Sequence, residues 1–445
     1  MLALLTLAIS AAASAAAPQG GPPALTLERA VALALERNPE MLRSRLQVRT
    51  AEADQAQARA AILPRVDLNA SVTRTRSGGG EVTGSFVDPA SGETVPLRTP
   101  AEVYSTYIAG VSVQQLLFDG GKWWGNREAK DFGLDAARES SAEARLQTVF
   151  LVEQRFYELV LAQRQYQVLA EAAARSRGQA EATQRLFEAG RQAQTDVFAA
   201  RSNRDNDEIS GLLQEARVEL ARQELALAIG AEPREPIAVE EPPRLLDEPD
   251  PPPPVEPAIA KALLSRANLK ALAHSAESQR RAAAAASGDY WPAIGLVAGY
   301  SRQTRDPGTF TSSLDKASLL GAGVILSWNL FNGFETRAQV QKAEVQARQA
   351  ENDLAFARKG VAAEVENAIA RLAVARQLAR VATRSEENAR EGLRLARARQ
   401  EVGAGTQLEV RDAELKLTQS QLARVGALVG GREAESALRR AMGGP

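Results

Sequence analysis

Cysteine is absent from this chain of 445 residues, which excludes disulfide bonds, thiolate metal sites and catalytic thiols. Histidine occurs once, as His274, on a predicted Ala-rich helix where a structural or solvated role is expected. Aromatic residues make up only 5% of the chain, fewer than compact cores normally contain. The sequence has no phosphate-binding loop, nucleophile elbow or cluster of metal ligands. It therefore predicts no enzyme, cofactor or metal site.

The chain also has no marked excess of positive or negative charge. The formal net charge is −1, and no basic patch with interleaved aromatic residues predicts nucleic-acid binding. No segment after the N-terminus reaches the roughly 18 consecutive apolar residues that a membrane-spanning helix needs. Ala, Arg, Glu and Gln instead dominate residues 121–230 and 334–442, with apolar residues at helical spacing. This composition predicts long helices packed through small side chains.

Residues 1–17 are typical of a signal for export. An apolar run over residues 1–9 is followed by small residues, with a cleavage pattern at Ala13–Ala15. No Lys or Arg precedes the run, which is unusual for such a signal. The Gly/Pro-rich residues 18–23 favour a signal over the alternative, a buried Ala-rich helix. Without a cysteine near the junction, we expect no lipid anchor.

The chain contains two copies of one pattern. Ile62-Leu63-Pro64 corresponds to Tyr290-Trp291-Pro292, which lies 228 positions later. Leu117-Phe118-Asp119-Gly120 corresponds to Leu330-Phe331-Asn332-Gly333, which lies 213 positions later. The other pairs 213 positions apart are Gly190 with Gly403 and Asp196-Val197 with Glu409-Val410. The first copy is therefore 15 residues longer between its proline and its phenylalanine. A period this long excludes short solenoid repeats and predicts one duplicated half-fold.

Each copy contains two segments in which apolar and polar residues alternate, as they do in strands. We predict strands at about 63–76 and 104–118 in the first copy, and at about 292–303 and 318–331 in the second. The loop of roughly 75–102 absorbs the 15 extra residues and is expected to be polar and exposed. The alternation itself fits either a soluble sheet packed on helices or a membrane barrel.

Aromatic residues at the strand ends nearest the helices favour the barrel. All four tryptophans of the chain lie there: Trp123, Trp124, Trp291 and Trp328. Such aromatic girdles are typical of membrane barrels. Four strands cannot close a barrel, since the smallest single-chain forms have about eight, and an open sheet edge in lipid leaves backbone groups unpaired. Several chains are needed, two giving eight strands and three giving twelve.

The helical segments have matched lengths. The distance from Phe118 to Gly190 is 72 residues, the same as from Phe331 to Gly403, and neither span contains proline. A continuous helix of this length would reach roughly 100 Å. Apolar residues at a spacing of three and four residues match coiled-coil seams, and frequent alanine allows close helix approach.

These elements define the predicted domain organisation. The first repeat is 18–230, with a long helix at about 120–189 and a return helix at about 196–230. A stiff Pro-rich linker, 231–256, leads to the second repeat, 257–445. In that repeat the helices are expected at about 334–402 and 407–442. One further helix precedes each strand pair, at 26–60, capped by Thr26, and at 257–287.

With these motifs, the chain resembles the TolC-like outer-membrane efflux proteins over about 24–442. The markers are Asn38-Pro39-Glu40, Leu63-Pro64, the Leu-Phe-(Asp/Asn)-Gly motifs and the Gly190 and Gly403 turns. The resemblance implies a mainly α fold with a β-barrel portion. A homotrimer would form a twelve-stranded barrel in outer-membrane lipid, continued by a twelve-helix tunnel through the periplasm. It also implies partners: a periplasmic adaptor and an inner-membrane pump or ABC transporter.

The family closes its tunnel at the periplasmic tip, and this chain departs from the family pattern there. Asp196 matches the aspartate that holds the closed state. Its usual tyrosine and arginine partners are replaced by Gln400 and Gly405, which lack the phenol and the charge. Closure would be weaker, or would depend on other residues. Those alternatives are Arg191, Arg399 and Arg411.

Two further sites follow from the resemblance. Glu409 and Asp412 match an acidic ring; positions three apart share a helix face, and such rings select ions by charge. Two solvated surface acids are the simpler alternative. The tips that contact the adaptor are matched by Gly190 and Arg191 in one turn and by Val402 and Gly403 in the other. Helix termination alone would also explain the two glycines.

The resemblance predicts an exit duct for efflux or type I secretion, in the outer membrane with a periplasmic extension. The alternative is an exported periplasmic coiled-coil scaffold or adaptor that never enters a membrane, which leaves the four alternating segments unexplained.

Overall fold

The structure is a computed structural model that describes residues 24–80, 82–98, 100–308 and 318–444. The predicted export signal, residues 1–17, lies outside the described residues. The helices are α1 Leu27–Arg37, α2 Pro39–Ala60, α3 Lys122–Glu188, α4 Gln194–Ile229, α5 Val255–Ser265, α6 Ala267–Ser287, α7 Glu335–Glu401 and α8 Gln407–Ala441. The strands are β1 Arg65–Ser77, β2 Val82–Val87, β3 Thr94–Arg98, β4 Glu102–Phe118, β5 Ala293–Thr304 and β6 Ser318–Ser327. The fold is mainly helical with a smaller β portion, as the sequence predicts.

The two long helices α3 and α7 contain 67 residues each. Their return helices, α4 and α8, contain 36 and 35 residues. The two helical hairpins therefore have nearly the same dimensions.

The helices that precede the strand pairs are each broken, where the sequence predicts one continuous helix. Asn38 is extended, with φ −61° and ψ 131°, because the ring of Pro39 disfavours helical geometry at the residue before it. Its side-chain amide donates to the carbonyl of Ala228 at 2.8 Å. In the second copy, Arg266 is extended and its guanidinium donates to the carbonyl of Arg440 at 2.9 Å.

These breaks are equivalent in the two copies, since Arg266 lies 228 positions after Asn38. In each copy the residue at the break donates to a carbonyl in the last turn of the return helix. Two glycines make the close approach possible. A Cβ atom on Gly230 would lie 2.7 Å from the carbonyl oxygen of Arg37, and one on Gly443 would lie 2.8 Å from Oγ of Ser265.

Four strands form one antiparallel sheet in the order β1-β4-β5-β6. The pairing of β4 with β5 joins the two copies. One row across the sheet pairs Leu68 with Val111, Val111 with Tyr300, and Tyr300 with Leu320. The adjacent row, on the other face, is polar or small: Asp67, Ser112, Gly299 and Gly321. One face of the sheet is therefore apolar.

Two strand predictions differ from the structure. β6 ends at Ser327 rather than near residue 331, because β5 begins at Ala293 and the last pair between them is Ala293 with Ser327. The loop of residues 75–102 contains a second sheet, in which β2 pairs with β3. Its connection is built by the Asp88 carboxylate, which accepts from the Ala90 amide at 3.0 Å. The apolar side chains of this hairpin are exposed, as predicted for this loop; Phe86 is 50% exposed.

Two compact units cut across the duplication. The first takes in the chain up to Arg45, Ser141–Ala267 and Lys359–Pro445; the second takes in Leu46–Ser140 and Asn268–Arg358. Each unit contains segments of both copies, so neither copy is a separate compact domain. The second unit contains the four-stranded sheet.

The first unit has an apolar core in which α1, α3 and α4 meet the Pro-rich linker. Phe156, Leu159 and Leu225 are fully buried there, together with Leu245 of the linker. The linker has no helix between α4 and α5 and forms a parallel bridge between Leu25 and Val239. The linker is thus packed against the helices, which explains how proline-rich chain is held in place.

Candidate aperture at the helical turns

The turns at the ends of α3 and α7 have the same geometry. Gly190 has φ +70° and Gly403 has φ +75°, left-handed values that favour glycine. After each glycine the next amide reaches back to the helix: Arg191 donates to the carbonyl of Leu186 and Ala404 to that of Arg399, both at 2.8 Å. This is the Schellman pattern that ends helices. Helix termination therefore accounts for both glycines, and a docking role needs separate evidence.

Apolar side chains are exposed beside these turns. Val402 and Leu408 are each 78% exposed, and Phe198 is 59% exposed. Arg191, on the first turn, is also exposed. Large apolar side chains clustered at an exposed position are typical of interaction surfaces. We call Gly190, Arg191, Val402, Gly403 and Leu408 the tip surface.

Asp196 lies in the first turn of α4 and is linked to the second hairpin through glutamines. Its carboxylate accepts from Nε2 of Gln192 at 2.7 Å. Gln192 also donates to Oε1 of Gln407 at 3.2 Å, and Gln407 donates to Oγ1 of Thr183 at 2.8 Å. The chain of amides connects the start of α4 to the start of α8. It is a neutral network, apart from the aspartate itself.

Among the described residues, Asp196 forms no hydrogen bond with Gln400 or Gly405. Within the described residues, the side chain of Gln400 makes no hydrogen bond. Gly405 lies in a tight part of the second turn: a Cβ atom there would be 3.1 Å from the Gln400 amide nitrogen and 3.2 Å from Cβ of Arg399. Any side chain at position 405 must displace this turn slightly, which gives glycine a local structural reason.

Of the three arginines proposed for closure, Arg411 has the strongest contact. Its two guanidinium nitrogens lie 2.8 and 3.0 Å from the two carboxylate oxygens of Asp207. The side chains are 17% and 15% exposed, so the pair is largely shielded from water. The hydrogen bond to Asp207 raises the pKa of Arg411 above its ordinary value. Bidentate pairs of this kind are among the stronger polar contacts in proteins.

The other two arginines are placed differently. Arg399 is 61% exposed and bonds within its own turn, donating to the carbonyl of Ala404 at 3.1 Å. Arg191 is exposed and forms no ion pair with the described residues. Asp207 was not predicted from the sequence. Its spacing from Asp196 was an available signal, because 11 residues are close to three helical turns and put both side chains on one face of α4.

Glu409 and Asp412 lie on the first turns of α8, and both are exposed. The Glu409 amide is capped by Oγ1 of Thr406 at 3.2 Å, and its carboxylate lies 3.9 Å from Arg399. Asp412 pairs with Lys416 at 2.6 Å. Exposed pairs contribute little and leave the carboxylates hydrated. Both acids are therefore hydrated at the start of α8, with a basic group beside each of them.

Among the described acidic groups, Glu433, farther along α8, has the pKa that departs most from its ordinary value. Its burial raises its pKa to about 7, with a smaller contribution from the charge of Glu158. It lines a cavity of about 290 Å³ with Phe150, Gln154 and Arg371. The group therefore titrates near neutral pH.

The described ranges contain no cluster of His, Cys, Asp or Glu that could hold a metal ion. His274 stacks on Phe132, with ring centroids 6.3 Å apart, which fits a structural role. Among the helices of these ranges, none combines the length and the apolar character required to cross a bilayer.

Known proteins resemble this chain in sequence and in fold. The chain is 26% identical over 411 residues to the outer membrane efflux protein BepC of Brucella suis, which covers 90% of this chain and 82% of that protein. The fold is similar to the outer membrane protein VceC of Vibrio cholerae, with a TM-score of 0.76, 19% identity and coverage of 94% and 96% of the two chains. It is also similar to the Campylobacter jejuni CmeC outer membrane channel, with a TM-score of 0.78, 16% identity and coverage of 98% and 94%. The sequence pattern of the family described as "Outer membrane efflux protein" matches residues 30–231 and 258–444. This chain therefore belongs to the outer membrane efflux protein family.

Proposed function

We propose that this chain forms the outer-membrane exit duct of a tripartite efflux system. The observation that carries the proposal is that one chain contains two equal helical hairpins and a four-stranded sheet with one apolar face. Family membership supports the location in the outer membrane. The long helices form the periplasmic extension, and substrate passes through the lumen without chemical change.

The functional unit is a homotrimer. A four-stranded sheet has two unpaired edges, β1 and β6. Unpaired backbone groups inside a bilayer cost several kcal/mol each, so the edges must pair with other chains. Three chains supply twelve strands and twelve long or return helices, enough for a barrel and a tunnel of similar width.

The tip surface is the docking site for a periplasmic adaptor, which connects the duct to an inner-membrane transporter. Exposed Val402 and Leu408 supply apolar contact area and Arg191 supplies a charge. In a wide duct, the transporter determines which substrate is exported.

The closed aperture is held by the Arg411–Asp207 pair together with the Gln192–Gln407 contact. Both contacts tie the first hairpin to the second within one chain. They take the place of the family's latch, for which Gln400 and Gly405 lack the functional groups. Opening separates α8 from α4 and exposes the charged pair to water. Glu409 and Asp412 then line the opening and favour cations.

Fractionation of cells tests the function directly. The chain should be found in the outer membrane and migrate as a trimer that heating converts to monomer. Deleting its gene should raise the intracellular level of a pump substrate, and replacing the gene should restore export. A soluble periplasmic monomer would instead support a coiled-coil scaffold and would exclude the duct.

A further inference from the structure

The apolar face of the four-stranded sheet ends in arginine residues. Along β1 this face carries Val66, Leu68, Ala70 and Val72, and then Arg74 and Arg76. The β1–β4 register runs from Arg65 to Ser77 without a bulge. Because side chains alternate strictly between faces, Arg74 and Arg76 lie on the same face as Val72. The change from apolar to basic therefore occurs within one face.

The duplication repeats this arrangement. Arg302 on β5 lies 228 positions after Arg74, the same offset that separates the two prolines before the strands. Arg74 pairs with Ser105, and Arg302 pairs with Ser318. Both copies thus place an arginine opposite a serine on this face, although the register puts Arg302 in the row of Ala109 and Ala70, four residues before Arg74 along β1.

Arg74 and Arg76 are accessible. Both are exposed, and neither forms a hydrogen bond or ion pair with the described residues. Arg302 is only 9% exposed, so it offers little accessible surface. Arg305, on the opposite face, is occupied: its guanidinium lies 3.7 Å from the Tyr104 ring centroid and 3.5 Å from Glu102.

The position along the strand corresponds to a membrane interface. β1 begins directly after α2, so Arg74 and Arg76 are at the strand end remote from the helices. Eight residues separate Val66 from Arg74, about 27 Å of strand. A barrel tilt of about 40° reduces this to roughly 20 Å, close to the height of an outward apolar band. The guanidinium groups would lie where the outer leaflet meets water.

We propose that Arg74 and Arg76 bind the phosphate groups of the outer-leaflet glycolipid. The inference rests on the proposed function, because it needs the apolar face to be the lipid-facing surface of a barrel. A guanidinium presents a planar fork of donors that matches phosphate oxygens. Two such groups two residues apart on an exposed strand can contact one headgroup together. In a trimer the site occurs three times around the rim.

Binding of lipid A carrying both phosphates, measured on the purified trimer in nonionic detergent, tests the proposal. The Arg74→Gln, Arg76→Gln double variant should bind at least about tenfold more weakly, since each arginine near an anionic lipid surface contributes favourably. Dephosphorylated lipid A should bind the wild type and the double variant equally. Arg305→Gln, at the same level on the other face, is the control and should bind as the wild type does. Heat-sensitive trimer migration and single-channel conductance show that each variant is folded and functional.

Three results would overturn the site. The first is unchanged affinity of the double variant for phosphorylated lipid A. The second is an equal loss for the dephosphorylated lipid, which would indicate apolar contact only. The third is competition by millimolar inorganic phosphate, which would indicate a soluble-anion site. If any of these results occurs while conductance is normal, the lipid site is refuted and the duct function stands. If the wild type forms no trimer, the proposed function itself is refuted.

Discussion

Arg411 and Asp207 join the two return helices of one chain, with guanidinium nitrogens 2.8 and 3.0 Å from the two carboxylate oxygens. The residues are 204 positions apart and belong to different copies of the repeat. Both are mostly shielded from water, so breaking the pair leaves a partly buried charge without a partner. This contact is where we expect the closed aperture to be most sensitive to substitution.

Arg411→Leu and Asp207→Leu should each raise the conductance of the resting channel. Removing one member of a largely buried pair costs on the order of 3 kcal/mol, enough to shift a closed state. Planar-bilayer recordings of purified protein measure the effect. The exchange of both residues, Arg411→Asp with Asp207→Arg, should restore low conductance. Arg394→Gln is the control, because Arg394 is exposed and pairs with Glu391 within α7; resting conductance that is equal in all variants would contradict the assignment.

Glu409→Ala with Asp412→Ala should reduce the preference of the open channel for cations and its block by multivalent cations. Charged rings select ions by charge, and these acids supply the negative groups of the α8 start. Lys416→Gln should act in the opposite direction, since it removes the cation that lies 2.6 Å from Asp412. Reversal potentials in a salt gradient give the measurement. An unchanged potential in the double variant would mean that the two acids do not line the pore.

Gly403→Leu should abolish crosslinking to the adaptor while the trimer remains intact. At φ +75° a leucine costs about 1–2 kcal/mol and changes the shape of the tip surface. Gly392→Leu is the matched control: Gly392 lies within α7, is exposed, and has open space around it. Crosslinking in cells and export of a pump substrate are measured together. Normal export by the Gly403 variant would count against a docking role for the second turn.

Glu433→Gln should make stability less dependent on pH. The pKa of Glu433 is raised from 4.5 to about 7 in the folded protein, so its neutral form is favoured by folding. Its contribution is fully present below pH 4.5 and is lost as pH rises through 7. The variant should therefore melt at a higher temperature than the wild type at pH 8 and at a similar one at pH 5. The same difference at both pH values would show that ionisation is not the cause; Glu387→Gln, at an exposed position of α7, should have no effect.

Much of the fold could be predicted because its signals are local. Strand alternation is visible in residues 63–76, and the turn at Gly190 needs a left-handed residue that the sequence supplies. The helix breaks were harder to predict. Pro39 marks the break at Asn38, but nothing next to Arg266 predicts the second break, which depends on a buried guanidinium that reaches the end of α8.

The candidate site was also harder to predict, because its contacts depend on how the chain packs rather than on neighbouring residues. Asp196 was identified by its resemblance to a known latch, yet its contact is Gln192, which resemblance did not indicate. The hairpin β2–β3 was missed because its strands are short and both of their faces are exposed. Such a segment has little alternation to distinguish it from a polar loop.

The sequence by itself determined the duplication, the equal helical arms and the alternation of the strands, because each is a property of neighbouring residues or of spacing along the chain. Only the tertiary structure decided which arginine meets which aspartate. Arg411, Arg399 and Arg191 are equivalent as side chains in a sequence. Their different roles arise because helix packing places one of them opposite Asp207 and leaves the other two in exposed turns.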